Sequence, residues 1–250
     1  MPSAPQPTAA LLIIGNEILS GRTQDANLNY LAKTLGGIGI RLAECRVVPD
    51  IEAKIIEAVN ALRQAYDYVF TSGGIGPTHD DITSATVAKA FGVKLVRHLE
   101  AEARLTKHYK PEDLNEARLK MADVPEGAKL IDNPVSAAPG FFIENVYVMA
   151  GVPRIMQAML DSIKGSLKGG ARTISRTVSA SITEGYIAQE LSAIQEAFPA
   201  VEIGSYPFIR DGKLGVSLVS RGTDADTLEQ VVVAIRALVT KHKAAILEEI

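Results

Sequence analysis

One cysteine, Cys45, stands in 250 residues. A single thiol excludes an internal disulfide framework and supplies no zinc ligand set, so Cys45 is expected to pack at a strand. The chain also lacks an excess of either charge: 26 Lys and Arg against 29 Asp and Glu leave a net charge of −3. That balance argues against a general affinity for nucleic acid or an anionic membrane surface. Any phosphorylated ligand must then be drawn by local donors or by a bound cation. No apolar run reaches the roughly 18–20 residues that crossing a bilayer takes. Residues 1–8 are proline-rich and carry no basic leader, which predicts a short flexible lead-in and a cytoplasmic protein, not a secreted one. The four histidines, His79, His98, His108 and His242, show no metal-ligand spacing. No nucleophile-elbow motif supports Ser-His-Asp hydrolysis.

What is present is a core: hydrophobic residues make up 47%, enough for one large domain or a domain with a smaller companion. Apolar runs at 9–15, 40–48, 68–71 and 146–149 read as strands. Between them, 27–35, 51–65, 82–91 and 154–164 carry apolar residues at helical spacing. This alternation predicts an α/β fold, a mostly parallel sheet sandwiched by helices in three layers. Residues 99–110 and 112–121 read as charge-laced helices with solvated faces. Lys168-Gly169-Gly170 reads as a linker, which divides the chain into a domain over 9–167 and a small α+β domain over 171–250. In the latter, a strand (172–181), a helix (183–198), a hairpin turning at Asp211-Gly212 and a helix (227–243) give the order β-α-β-β-α. A packing or oligomer-forming role is expected for it.

Residues 71–83, Thr-Ser-Gly-Gly-Ile-Gly-Pro-Thr-His-Asp-Asp-Ile-Thr, carry the chemistry. They join a buried strand to a helix, and Gly73, Gly74 and Gly76 leave backbone N–H groups bare where a helix dipole favours an anion. Asp80 and Asp81 follow at once, and two carboxylates beside a phosphate need a divalent cation between them. Ordinary capping, Thr78-x-x-Asp81, explains the same acids equally well. The stretch is neither a P-loop nor a dinucleotide fingerprint, because no Gly-Lys-Ser/Thr follows and the glycine spacing differs. Glu17 and Asp50 also fall at strand ends, where ligands of parallel sheets collect. Arg154, in the first turn of a helix, could pair with a phosphate or simply face solvent.

Residues 71–83 resemble the signature of the molybdopterin-binding (MoaB/MogA-like) superfamily. They are most similar to the amino-terminal domain of the CinA competence/damage-inducible proteins, with Ser72 for a usual Thr and Ile75 for a usual Leu. Three further segments resemble that family in order. These are Gly15-Asn16-Glu17-Ile18-Leu19-Ser20-Gly21 with Asp25 and Asn27, then Asn133-Pro134 with Ala138-Pro139-Gly140, then Gly151-Val152-Pro153 with Met156. Ala137 stands where Thr is common, and Ile155 stands where the family usually has Glu, which removes a carboxylate.

The resemblance, over roughly residues 8–165, implies a divalent-metal-dependent pyrophosphatase of ADP-ribose or a related dinucleotide such as FAD. On that implication Thr71, Ser72, Gly73, Gly74, Gly76, Pro77, Thr78, Asn133, Pro139 and Gly140 hold phosphate or nucleotide. Asp81, Asp80 and Glu17 are catalytic. Asp81, Glu17 and Asp50 hold one or two divalent cations (Mg, Mn or Co), and His79 is a solvent-facing loop residue. The wider superfamily implies a different class, binding or adenylylation of molybdopterin, a pterin phosphate, in molybdenum cofactor synthesis. A nucleotide-binding module without catalysis is the third expectation. Related domains form homo-oligomers, so a homo-oligomer is expected. Full-length CinA proteins add an amidase domain acting on nicotinamide mononucleotide, and amidase activity is not expected of this chain.

Overall fold

The computed structural model describes residues 6–250. Of the lead-in expected over 1–8, residues 1–5 lie outside the described residues, and Thr8 already opens a strand. The chain forms two compact units, one ending at Gly170 and the other Ala171–Ile250.

The first unit runs β1 (Thr8–Ile14), α1 (Asn16–Leu19), α2 (Asn27–Gly37), β2 (Arg41–Val48), α3 (Glu52–Ala65), β3 (Tyr68–Ser72) and α4 (Thr83–Phe91). It continues through β4 (Leu95–Arg97), α5 (Leu99–His108), α6 (Glu116–Leu119), β5 (Asp123–Pro125), β6 (Lys129–Ile131), β7 (Gly140–Ile143), β8 (Val146–Met149) and α7 (Pro153–Ile163). Six strands make one sheet in the order β2-β1-β3-β8-β7-β6. The first four are parallel, and β7 and β6 are antiparallel additions at one edge.

β1 shows why the sheet is sandwiched. Every residue after Thr8 is buried and apolar, and successive side chains point to opposite faces. Ala9, Leu11 and Ile13 meet Leu31 and Leu35 of α2 and Met156, Met159 and Leu160 of α7. Ala10, Leu12 and Ile14 meet Ile55, Val59 and Leu62 of α3 and Val87 of α4. One strand thus joins two cores, which gives three layers. At the sheet edge, β2 alternates exposed and half-buried residues. Cys45, expected to pack at a strand, lies on this one as an exposed free thiol.

The helix expected over 112–121 is broken. Pro111 opens a 3₁₀ turn (Pro111–Asp113). Asn115 then takes the Arg118 N–H on its side-chain oxygen at 3.0 Å and starts the single turn of α6. Another 3₁₀ turn, Lys120–Ala122, ends the segment. An asparagine offers the backbone a cap in preference to helix continuation, which explains the break. The strands β4 to β7 were not foreseen; each has three or four residues, too few to show a period.

The second unit runs β9 (Ile174–Ala180), α8 (Glu184–Ala197), β10 (Glu202–Arg210), β11 (Lys213–Gly222), α9 (Ala225–Lys241) and β12 (Ile246–Glu249). Its sheet, β10-β11-β9-β12, is antiparallel throughout. Asp211 and Gly212 have φ of 50° and 73°, the left-handed pair that a two-residue hairpin turn requires. Val178, Leu218, Ile187, Val231 and Ile235 form its core. The unforeseen β12 pairs with β9, and Thr177 and Ile250 exchange hydrogen bonds of 2.8 and 3.1 Å at its end. Among the described residues, no helix is long and apolar enough to cross a membrane.

Candidate functional site

The carboxyl ends of β1, β3 and β8 open on one cleft of about 480 Å³. The residues after β3 turn sharply to reach α4. Gly73 takes φ 113° and Gly74 φ 70°, where side chains are rarely tolerated. A Cβ at Gly73 would collide with the carbonyl oxygen of Ile14, and one at Gly74 with the Thr83 hydroxyl. Close packing of bare backbone is therefore built into the loop. Thr83 clamps it: its N–H reaches the Gly74 carbonyl at 2.9 Å and its hydroxyl the Gly73 carbonyl at 3.0 Å. Among the described residues, the N–H groups of Gly74, Ile75 and Gly76 have no intramolecular acceptor, and all three residues line the cleft. Consecutive free N–H groups in a turn form an anion-binding nest.

Asp81 closes a turn and also faces the cleft. Its Oδ2 accepts the Thr78 N–H at 2.8 Å and the Thr78 hydroxyl at 2.5 Å, which closes the 78–81 turn. It also lines the cleft, and a Cβ at Gly76 would come within 2.6 Å of Oδ2. Glu17, delivered by α1, lines the same cleft. Its carboxylate has no ion-pair or hydrogen-bond partner among the described residues. A Cβ on Gly15 would lie 2.5 Å from that carboxylate, so Gly15 leaves room for it.

Several expected residues stand elsewhere. Asp80 is exposed and outside the cleft wall, since α4 begins at Thr83 and the preceding turn faces solvent. Its carboxyl is held below the ordinary range, first by the Thr78 hydroxyl and then by its own backbone N–H, with smaller pulls from His79 and Lys120. Asp50 accepts the Asn16 N–H at 2.9 Å at the start of α1 and does not line the cleft. Thr71 is fully buried within β3. Ser72 receives the Asn27 amide at 2.7 Å, below the cleft floor. Thr78 acts through Asp81, while Pro77 does line the cleft. Gly140 lies in β7, where a Cβ would come within 2.5 Å of the Val148 carbonyl, so its bareness serves packing. Pro139 and Arg154 are not part of the wall.

Asn133 lines the cleft, but its side chain is used inside its own loop. It donates to the Ser136 hydroxyl and the Ala138 carbonyl at 2.7 Å each and accepts from the N–H groups of Val135 and Ser136. Among the described residues, no three His, Cys, Asp or Glu side chains gather as a metal cage. Glu17 and Asp81 alone face the cleft as acids.

The site-residue expectations omitted three positioning groups. Thr83 is the clamp above. Asn27, at the start of α2, ties the β3 end to the β8 end by donating to Ser72 and to the Gly151 carbonyl at 2.8 Å. Lys120 donates to the Thr78 carbonyl at 2.8 Å and secures the signature loop from the broken helical segment. Its partner is 42 residues away, so no sequence spacing announces it. Ile155 adds apolar surface, with Met121 and Met159, to the cleft wall.

Residues 10–168 match the family described as probable molybdopterin binding domain, and residues 172–248 match the FAD synthase middle domain. A protein of Archaeoglobus fulgidus is 37% identical over 197 residues, 79% of this chain and 84% of its own length. A probable FAD synthase of Caenorhabditis elegans is 31% identical over 268 residues; the match takes in 96% of this chain but only 52% of that protein. Among solved structures, a CinA protein of unknown function from Thermoplasma acidophilum superposes with a TM-score of 0.61 at 35% identity. That superposition covers 64% of this chain and 97% of the other.

Proposed function

This chain belongs to the probable molybdopterin binding domain family, and from that premise we propose that it is a divalent-metal-dependent pyrophosphatase of a dinucleotide such as ADP-ribose or FAD. The observation that carries the reading is the pairing, in one cleft, of three unpartnered N–H groups (Gly74, Ile75, Gly76) with two unneutralised acids (Glu17, Asp81). The N–H groups suit phosphate oxygens, while the acids alone would repel them. A group that uses both is a phosphate accompanied by a cation. Two carboxylates fit magnesium-like ions, which take one or two protein carboxylates and complete their shell with substrate phosphates and water. When bound, such a cation supplies polarisation of the phosphoryl group and activation of water.

The protein's own residues do the rest. The nest orients one phosphate so that water can attack phosphorus and the bridging P–O bond breaks, releasing AMP and a second monophosphate. Thr78 holds Asp81 in one rotamer, and Lys120 and Thr83 hold the loop that carries the nest. Met121, Ile155 and Met159 offer apolar surface on which the organic part of the substrate excludes bulk water. The similarity to a probable FAD synthase, which spans both units, supports a dinucleotide substrate.

AMP release from ADP-ribose and FAD tests this, with Mg²⁺, Mn²⁺ or Co²⁺ supplied to EDTA-treated protein. Metal-dependent turnover is expected, reduced on the order of 10²-fold or more in Asp81→Asn. Absence of turnover with every metal, in protein shown to be folded, would overturn it in favour of pterin or nucleotide binding.

A further inference from the structure

A second cleft, also of about 480 Å³, meets the first at Asn133. Arg104, Lys107 and His108 of α5 form one wall, and Asp132, Pro134 and Ala137 the other. Residues 132–138 are thus the partition between the two compartments. That partition is firmly built. Asn133 spends four hydrogen bonds on it, and Ala137 is held at φ 61°, an unfavourable conformation for a residue with a Cβ.

The two compartments differ in charge. Glu17 and Asp81 face the first, whereas Arg104, Lys107 and His108 face the second beside one acid, Asp132. Arg104 is pinned in the fork between Glu100 and Asp132, at 2.6 Å from each. Lys107 and His108, in the last turn of α5, have no carboxylate partner among the described residues. Among the described residues, no Phe, Tyr or Trp lines this cleft. Free ammonium and imidazole donors beside an oriented guanidinium suit a phosphate.

We propose that the basic cleft binds a phosphate other than those of the cleaved pyrophosphate, so that the preferred substrate is a dinucleotide with a third phosphate on a ribose. The inference rests on the pyrophosphatase reading. The nest takes the pyrophosphate, and the basic cleft adjoins it across the shared wall at Asn133. A plain ribose hydroxyl leaves Lys107 and His108 uncompensated, while a phosphate engages both.

Calorimetric titration with ADP-ribose, and with ADP-ribose phosphorylated on the adenosine 2′ hydroxyl, decides it. The titrations use Ca²⁺, and separately EDTA, in place of a catalytic metal. Wild-type protein is expected to bind the triply phosphorylated ligand about tenfold tighter. The double variant Lys107→Gln/His108→Gln, whose exposed side chains leave the fold intact by circular dichroism, is expected to bind the two alike. Equal wild-type affinities, or a preference that survives in the double variant, would overturn this inference alone. Failure of wild-type protein to bind either ligand under both conditions would overturn it together with the dinucleotide reading.

Discussion

In the second unit Glu190 meets Lys241 and His242 at 2.6 Å each, and Arg236 grips Glu249 at 2.9 Å and Glu229 at 3.4 Å. Around the signature loop of the first unit, Glu17 meets no cation and Asp81 is held only by Thr78. Glycines divide the same way. Gly212 has its positive φ on an open hairpin with nothing near a would-be Cβ, whereas Gly73 and Gly74 have theirs against packed backbone and side chain. Charges left unpaired on a tightly held backbone are what the proposed ligand would complete. Charges in the second unit are paired on the surface of a regular sheet-and-helix layer.

The strongest way to break this comparison is to damage the second unit and watch the cleft. Leu218 is fully buried in β11, and Leu218→Ala is expected to destabilise the protein by about 2–5 kcal/mol. Dinucleotide affinity, measured well below the unfolding midpoint, should stay unchanged. A fall in affinity would mean that the second unit shapes the site.

Glycine substitutions sharpen it from the other side. Gly73→Ala is expected to cost roughly 2–4 kcal/mol by urea unfolding, because both the backbone angle and the Ile14 carbonyl oppose a Cβ. It should abolish ligand binding even where the variant is folded. Gly212→Ala meets only the backbone penalty, about 1 kcal/mol, and should bind normally. Equal costs at the two positions would erase the distinction.

Lys120→Met is a gentler probe. It removes a charged donor to the Thr78 carbonyl, an interaction of about 1 kcal/mol. Freed from that tether, the signature loop should bind dinucleotide several-fold less tightly while the global unfolding midpoint barely moves. Hydrogen exchange at residues 76–81 should rise in step, and unchanged exchange there would assign Lys120 no part in holding the loop.

What could be read in the sequence follows this division. β1, β3 and the helices around them announced themselves, because strands buried on both faces are continuously apolar and their helices carry a single stripe. The loop was legible through its glycines, whose absent side chains mean the same thing in sequence and in space. The acids were harder. Glu17, Asp50, Asp80 and Asp81 look alike in sequence, yet Asp50 holds the Asn16 N–H, Asp80 faces solvent, and Glu17 and Asp81 share the cleft. Carboxylates serve caps and cations equally well, and only the backbone path decides between them. Lys120 and Thr83 were illegible for a related reason: each acts on a carbonyl whose orientation is set by the glycine turn.

The smallest effect concerns the pairing that defines the second unit. Lys241, and after it His242, hold the Glu190 carboxyl below its ordinary value. In the unfolded chain that carboxyl returns to about 4.3. Between the two values the unfolded state binds the extra proton, so stability rises with pH through that window. The contribution is complete above the unfolded value and is lost as pH falls through the folded one. Exposure to solvent keeps it small. Wild-type protein should therefore lose Tm slightly more steeply than Glu190→Gln as pH falls below about 4.3, with the two curves parallel immediately above that window. Parallel curves below pH 4.3 as well would show that the paired charges hold nothing together, and the contrast between the units would then rest on the glycines alone.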